Sequence, residues 1–326
     1  MKDEKIIFHY TSLDKFKCIL KYGTLRFKES TTSNDVMDTT LLFEVLKEYK
    51  GNKNSDESVE AARKFILDYY QKFAAQNQHI SLVSCFAEEG DSRMLWDAYT
   101  MNRPSNIPCK YKENRFCFDS DKTYNGVCIG FNKKKLEEHI KTYEGKVCER
   151  AYLYPIQYGV EKAKRQLNNW FSEACVQVKE WSKEHGQSQD LIAPIVIPRI
   201  FTDEPWMEIK LRKSLVLPTI DLISKVDAFS PFFKHEFWSD ENEIRASLCF
   251  HKGKIPKLVE KAPDGMYFDM PITLKCIEFV ILGPEFTSTE LNEITTHTDY
   301  KLDFEAIDKK PSIGTEISEA NRRKDD

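Results

Sequence analysis

Short apolar runs, each too brief for a helix and rich in β-branched or aromatic residues, recur along this chain. They include Ile6-Ile7-Phe8, SLVSCF from Ser81, GVCIGF from Gly126 and IEFVIL from Ile277. Such runs read as buried strands. Helical patterns lie between some of them. Leu13, Phe16, Ile19 and Leu20 recur at helical spacing before Gly23, a helix is expected to run to about Tyr49, and a third covers VEAARKFILDYYQKFAAQ from Val59. Strands and helices alternate only in part, so the pattern predicts an α+β (mixed α/β) fold around one central sheet with flanking helices.

Length and composition set the limits of that fold. At 326 residues, 41% apolar and 31% charged, the chain reads as a soluble globular protein of one elaborated domain or two. We read a single domain over residues 1–307. Within it, a helical insertion spans about 160–215, where Leu167, Trp170, Phe171, Ala174, Val178 and Trp181 repeat three and four apart before Pro194, Pro198 and Pro205 break the pattern. Residues 308–326 are polar and predict a loose tail. The segment from Arg103 to Thr123 reads as a long surface loop.

The formal net charge of −4 advertises no global field for nucleic acid. A local basic face from Lys133-Lys134-Lys135, Lys162, Lys164, Arg165, Lys210, Arg212 and Lys213 remains open, beside the simpler reading of solvated helix faces. Nine cysteines occur without CxxC or HxxxH spacing, which predicts reduced, buried thiols and no zinc site. The opening MKDEK carries no secretory run, and no stretch approaches the roughly 18 apolar residues of a membrane span. The expected compartment is the cytoplasm.

Two segments carry candidate chemistry. In the first, His9, Tyr10, Thr11 and Ser12 follow the opening strand and lead into a helix N-terminus, where amide donors and a positive dipole favour a phosphate. Equally, His9 and Tyr10 can be edge-strand residues, and Ser12 only a cap. In the second, FWSDENEIRASLCF, a strand over residues 241–248 would put Glu241, Glu243, Arg245 and Ser247 on one face and Ile244, Ala246 and Leu248 on the other. That array is either a solvated edge or a carboxylate placed to steady positive charge on a sugar ring. Asn34 and Asp35 lie in a turn that could bond a ribose or cap a helix, and Trp96 fits an inward helical face better than a stacking role.

Taken in order, FHYTSL, SNDVMD, SLVSCF with SRMLWDAY, GVCIGF, FWSDENEIRA and IEFVILGPEF resemble a bacterial family of unknown function. Its members open on an H-Y-T strand and carry a late W-x-x-E-x-E-W-R-like strand. Its opening and late glutamate are in turn similar to ADP-ribosyltransferases of the His-Tyr-Glu type. The resemblance implies an ADP-ribosyltransferase-like sheet and NAD as substrate, with no metal. It further implies a toxin or phage-defence role, a nucleic-acid or protein acceptor, and an antitoxin or chaperone partner, the alternatives being a nucleic-acid-binding or -processing module or a non-catalytic interaction protein on the same fold. By residue, it implies that His9 bonds a ribose hydroxyl of NAD, that Glu243 bonds the nicotinamide ribose and stabilises the oxocarbenium-like transition state, and that Glu241 prepares the acceptor. Tyr10, Thr11, Ser12, Arg26, Asn34 and Asp35 complete the expected NAD contacts, with Thr11, Ser12 and Arg26 facing the pyrophosphate. Val36 stands where the family favours proline, and Ile244 where it favours an aromatic.

Overall fold

The computed structural model describes residues 5–32, 39–49, 66, 79–100, 125–186, 192–198, 206–296 and 300–311. The chain begins with β1 (Ile6–Thr11), α1 (Leu13–Tyr22), β2 (Thr24–Glu29), α2 (Leu41–Glu48), β3 (His79–Ala87), α3 (Arg93–Tyr99), β4 (Val127–Asn132) and α4 (Lys133–Lys141). There follow β5 (Arg150–Pro155), β6 (Gln157–Tyr158), α5 (Val160–His185), β7 (Ile192–Pro198), β8 (Trp206–Arg212), α6 (Lys213–Phe229) and β9 (Phe233–Lys234). The chain closes through β10 (Glu243–His251), β11 (Glu260–Ala262), β12 (Gly265–Pro271), β13 (Ile277–Leu282), α7 (Ser288–Thr296) and β14 (Asp308–Pro311). The expected helix at Val59, the loop at Arg103–Thr123, Asn34, Asp35 and residues 312–326 fall outside the described residues, apart from buried Ile66.

One ten-stranded sheet organises the molecule, in the order β11-β12-β2-β3-β1-β4-β13-β14, with β10 on β3 and β5 on β10. All its pairs are antiparallel except β13 with β14. The mixed architecture is the α+β class that the strand and helix pattern predicts. Strand β3 is the branch point. One edge is taken along its whole length by β10, from Glu243↔Ala87 to His251↔His79. The other edge is shared: β2 pairs at Val83 and Leu82, and β1 pairs only at Phe8↔Ala87. Between those two partners the sheet splits, beside Cys85.

The local elements follow from their residues. Helix α1 buries Leu13, Phe16, Ile19 and Leu20, and stops where Gly23 turns left-handed at φ 62°, its N–H reaching the Ile19 carbonyl at 2.8 Å. Asn132 caps α4 by accepting the Lys135 N–H at 3.1 Å. Ile244, Ala246, Leu248 and Phe250 of β10 point into the main core with Phe27, Leu82 and Phe131. The isoleucine, leucine and phenylalanine side chains among them each contribute about 1.5–3 kcal/mol on leaving water. A second core joins α2, α5 and α6 through Leu42, Leu46, Leu167, Trp170, Phe171 and Leu222.

Two segments differ from the sequence expectation, and a third divides between two sheets. The 160–215 region is not helical throughout: β7 and β8 form an antiparallel hairpin from Ile192↔Arg212 to Pro198↔Trp206. Pro194 and Pro198 fit β7 because a two-stranded ribbon leaves one edge free of ladder bonds. Strands β5 and β6 are adjacent in sequence but belong to different sheets, β6 pairing in parallel with β9. Asp308–Pro311 is a strand rather than the start of a tail, since β13 offers it a parallel edge. The cysteines also divide. Cys128, Cys148, Cys249 and Cys276 are buried, whereas Cys18 and Cys85 are exposed. No described helix is long and apolar enough to cross a membrane.

Candidate functional site

The split in the sheet opens a cavity of about 100 Å³, lined by Phe8, His9, Tyr10, Cys85, Phe86, Ala87, Leu95, Tyr99, Glu241 and Glu243. The opening histidine and both late carboxylates therefore face one space, although more than 230 positions separate them in sequence. Its walls are largely apolar, and its volume suits a single ring rather than a whole dinucleotide.

His9 fills the gap left between β1 and β2. Its Nδ1 lies 2.8 Å from the Cys85 carbonyl oxygen. A carbonyl only accepts, so Nδ1 carries the proton, and Nε2 of the neutral ring is an acceptor. Desolvation in the cleft pushes the imidazole pKa below 6.5, further than the Cys85 carbonyl raises it, so the ring is neutral at pH 7. Tyr10 does a different job. Its hydroxyl donates to the Glu89 carbonyl and accepts from the Ser92 N–H, both at 2.9 Å, and its ring meets Trp96 edge-on at 5.2 Å. Tyr10 thus ties the turn after β3 to the cavity wall. Trp96 is 3% exposed and is a core residue, as its helical position suggests.

The carboxylate end is built differently from a continuous strand. Strand β10 starts at Glu243, and Glu241 ends a 3-10 turn over Glu236–Glu241. Asn242 between them is left-handed at φ 43°, which breaks the strict alternation a strand would impose. The two acids still converge because Lys234 bridges them, its Nζ lying 2.9 Å from Glu241 and 2.7 Å from Glu243. Arg245 adds Nε to Glu243 at 2.6 Å and Nη1 to the Pro231 carbonyl at 2.7 Å. This is no solvated edge: Lys234, Glu243 and Arg245 are all buried, between β3 on one side of β10 and β5 on the other.

Electrostatics follow from that packing. Burial penalises the Glu243 charge, but Arg245 and Lys234 outweigh it and hold the carboxyl at about 2. Burial likewise opposes the Lys234 charge, and Glu243 with Glu241 more than restores it. Two carboxylates that close would repel each other if they were alone, and the two cations make both charges tenable. Tyr99 donates its hydroxyl to Glu241 at 2.7 Å, and the Tyr158 hydroxyl accepts the Glu243 N–H at 2.8 Å.

The remaining expected contacts lie elsewhere. Thr11 and Ser12 are buried at the β1–α1 junction and do not line the cavity. Ser12 makes no side-chain cap bond. Arg26 points from β2 to its cross-strand partner Asp269, with two bonds of 2.7 Å, and stacks over Tyr267 at 4.2 Å. Cys85, Tyr99, Lys234 and Tyr158 are members of the site that the sequence reading misses. Tyr99 had the clearest signal, three positions after Trp96 on the same short helix. Of the basic residues, Lys135 pairs with Glu278 at 2.8 Å and Lys164 with Glu161 at 2.9 Å. Among the described residues, no group of three or more His, Cys, Asp or Glu is arranged to hold a metal ion.

Comparison with known protein families gives a match over part of the chain. A family model described as a protein of unknown function (DUF2971) matches residues 95–246. That span takes in Tyr99, Lys234, both carboxylates and Arg245, and begins after the His9 strand. No curated protein and no solved structure matches the chain.

Proposed function

We propose that this chain is an NAD-consuming ADP-ribosyltransferase, a toxin or phage-defence effector that modifies a nucleic acid or a protein and is held in check by an antitoxin or chaperone partner. One observation carries the reading: a neutral imidazole, whose Nε2 has no hydrogen-bond partner among the described residues, and a pair of carboxylates line the same apolar, ring-sized cavity.

The chemistry suits those groups. When the bond between nicotinamide and ribose C1′ breaks, its electron pair leaves with nicotinamide and positive charge develops on the ribose. A fixed carboxylate set against apolar walls stabilises that charge more than water does. His9 Nε2 accepts a hydrogen bond from a ribose hydroxyl and orients the sugar. Phe8, Phe86, Leu95 and Tyr99 pack around the leaving ring. The acceptor nucleophile then bonds C1′ and passes its proton to water. The adenosine and pyrophosphate extend beyond the cavity, and Arg26, committed to Asp269, is not among their partners in this reading.

Mass spectrometry of total protein and RNA tests it, using cells that make the wild type or the Glu241→Gln/Glu243→Gln double variant. The expected result is an added ADP-ribose mass on one class of molecule with the wild type and none with the variant. Equal modification in both, or none in either, contradicts the proposal.

A further inference from the structure

The two carboxylates are not equivalent. Glu243 has little left to offer a ligand. Arg245 Nε donates to Oε1 at 2.6 Å, Arg245 Nη2 donates to Oε2 at 3.3 Å, and Lys234 Nζ lies 2.7 Å from Oε2. An ionised carboxylate has about four acceptor positions, so these three contacts use most of its capacity. Two full positive charges beside it also cancel much of its field. Its backbone is pinned as well, the N–H on the Tyr158 hydroxyl at 2.8 Å and the carbonyl accepting from the Ile156 N–H at 2.8 Å.

Glu241 lines the same cavity under lighter restraint. Among the described residues, Oε1 accepts from the Tyr99 hydroxyl at 2.7 Å and Oε2 from Lys234 at 2.9 Å. Half its acceptor capacity remains, and one of its two donors is neutral. Lys234 is the hinge of the arrangement. It is 93% buried in its side chain, touches both acids, and lies over the Trp238 ring at 5.7 Å.

We infer that Glu241 is the catalytic carboxylate, the one that bonds the ligand, that Glu243 is the anchor holding Lys234 and Arg245, and that Lys234 and Tyr99 are positioning residues acting through Glu241. The inference rests on the ADP-ribosyl-transfer reading, which supplies the ligand group: a ribose whose hydroxyls need acceptors and whose C1′ gains positive charge as nicotinamide leaves. A carboxylate with free lone pairs meets both needs. One held by two cations, with most of its lone pairs in use, meets them less well.

Two single variants and one titration of the full chain test this. Glu241→Gln is expected to melt closer to wild type than Glu243→Gln does, because Lys234 keeps Glu243 as its anion, and to lose about 100-fold or more in nicotinamide release, the scale of losing a group that stabilises transition-state charge. Glu243→Gln is expected to melt lower, because Arg245 and Lys234 lose their anion. Tyr99→Phe is expected to lower kcat about tenfold with KM and melting unchanged, a split that a purely structural tyrosine does not give. In wild type carrying carboxyl-labelled glutamate, added NAD is expected to move the carbon signal of Glu241 and leave that of Glu243 in place. This titration decides the matter even if Glu243→Gln fails to fold. Near-normal turnover by Glu241→Gln, or an NAD-induced shift at Glu243 alone, overturns the inference while leaving the transferase reading standing. A wild type that neither binds nor cleaves NAD overturns both.

Discussion

At the scale of single residues, Asn242 decides how the two acids meet. Its left-handed backbone at φ 43° ends the 3-10 turn, and its carbonyl accepts the Glu88 N–H at 3.2 Å. Asparagine tolerates this region where β-branched residues do not. Asn242→Gly should therefore keep stability and turnover. Asn242→Val should cost about 1–2 kcal/mol, the penalty for forcing a β-branched side chain into that conformation, and should lower turnover as Glu241 shifts. Denaturant unfolding and nicotinamide release measure the two effects, and equal stability of the two variants would rule out a conformational role. The sequence pattern E-x-E-x-R makes Glu243 and Arg245 legible as neighbours, because strand alternation puts them on one face. It does not reveal the break at Asn242, which depends on tertiary contacts with the turn after β3. Nor does it reveal Lys234, whose approach depends on a two-stranded pairing of β9 with β6.

At the scale of elements, the far end of β3 carries a second coupling. His79 lies at its start, with Nδ1 3.1 Å from Asp227 at the end of α6 and Nε2 3.1 Å from Glu149 just before β5. Burial works against protonation of this ring, but the Asp227 hydrogen bond, with the charges of Asp227 and Glu149, raises its pKa above 6.5. His251 packs edge-on against it at 5.5 Å, and desolvation with the His79 charge lowers the pKa of that second ring. A folded-state pKa above the unfolded value means the contribution of His79 is fully present below about pH 6.5 and is lost as pH rises through the higher folded value. The gap in melting temperature between wild type and His79→Gln is therefore expected to be wider at pH 5.5 than at pH 8.5. A gap independent of pH would show that the imidazole does not link these elements by charge. The elements themselves are read well from sequence where apolar spacing and a stop coincide, as in α1 with Gly23. Reading fails where an element exists only because an edge is free to pair, as with β14 on β13, or because a hairpin tolerates proline, as in β7.

At the scale of the whole molecule, a branched strand makes the site. Strand β3 gives one edge to β10 and divides the other between β1 and β2, so the sheet opens where His9 stands in for a missing ladder partner. The α+β class is legible because the apolar runs are short and the helices alternate only partly with them. The meeting of His9 with Glu241 and Glu243 is anticipated by the family resemblance alone. Strand order is not written in spacing, and the matched family region, residues 95–246, leaves the His9 strand out. The central claim is that these groups form one NAD-cleaving cavity. Its most direct test is chromatographic measurement of nicotinamide released from NAD by purified wild type and His9→Asn. The asparagine amide can still donate to the Cys85 carbonyl while removing the second ring nitrogen. The account expects steady release by wild type and a loss of about tenfold or more in the variant at unchanged melting temperature, the scale of one lost hydrogen bond to the sugar. Equal release by both proteins, or none from wild type at saturating NAD, would contradict it.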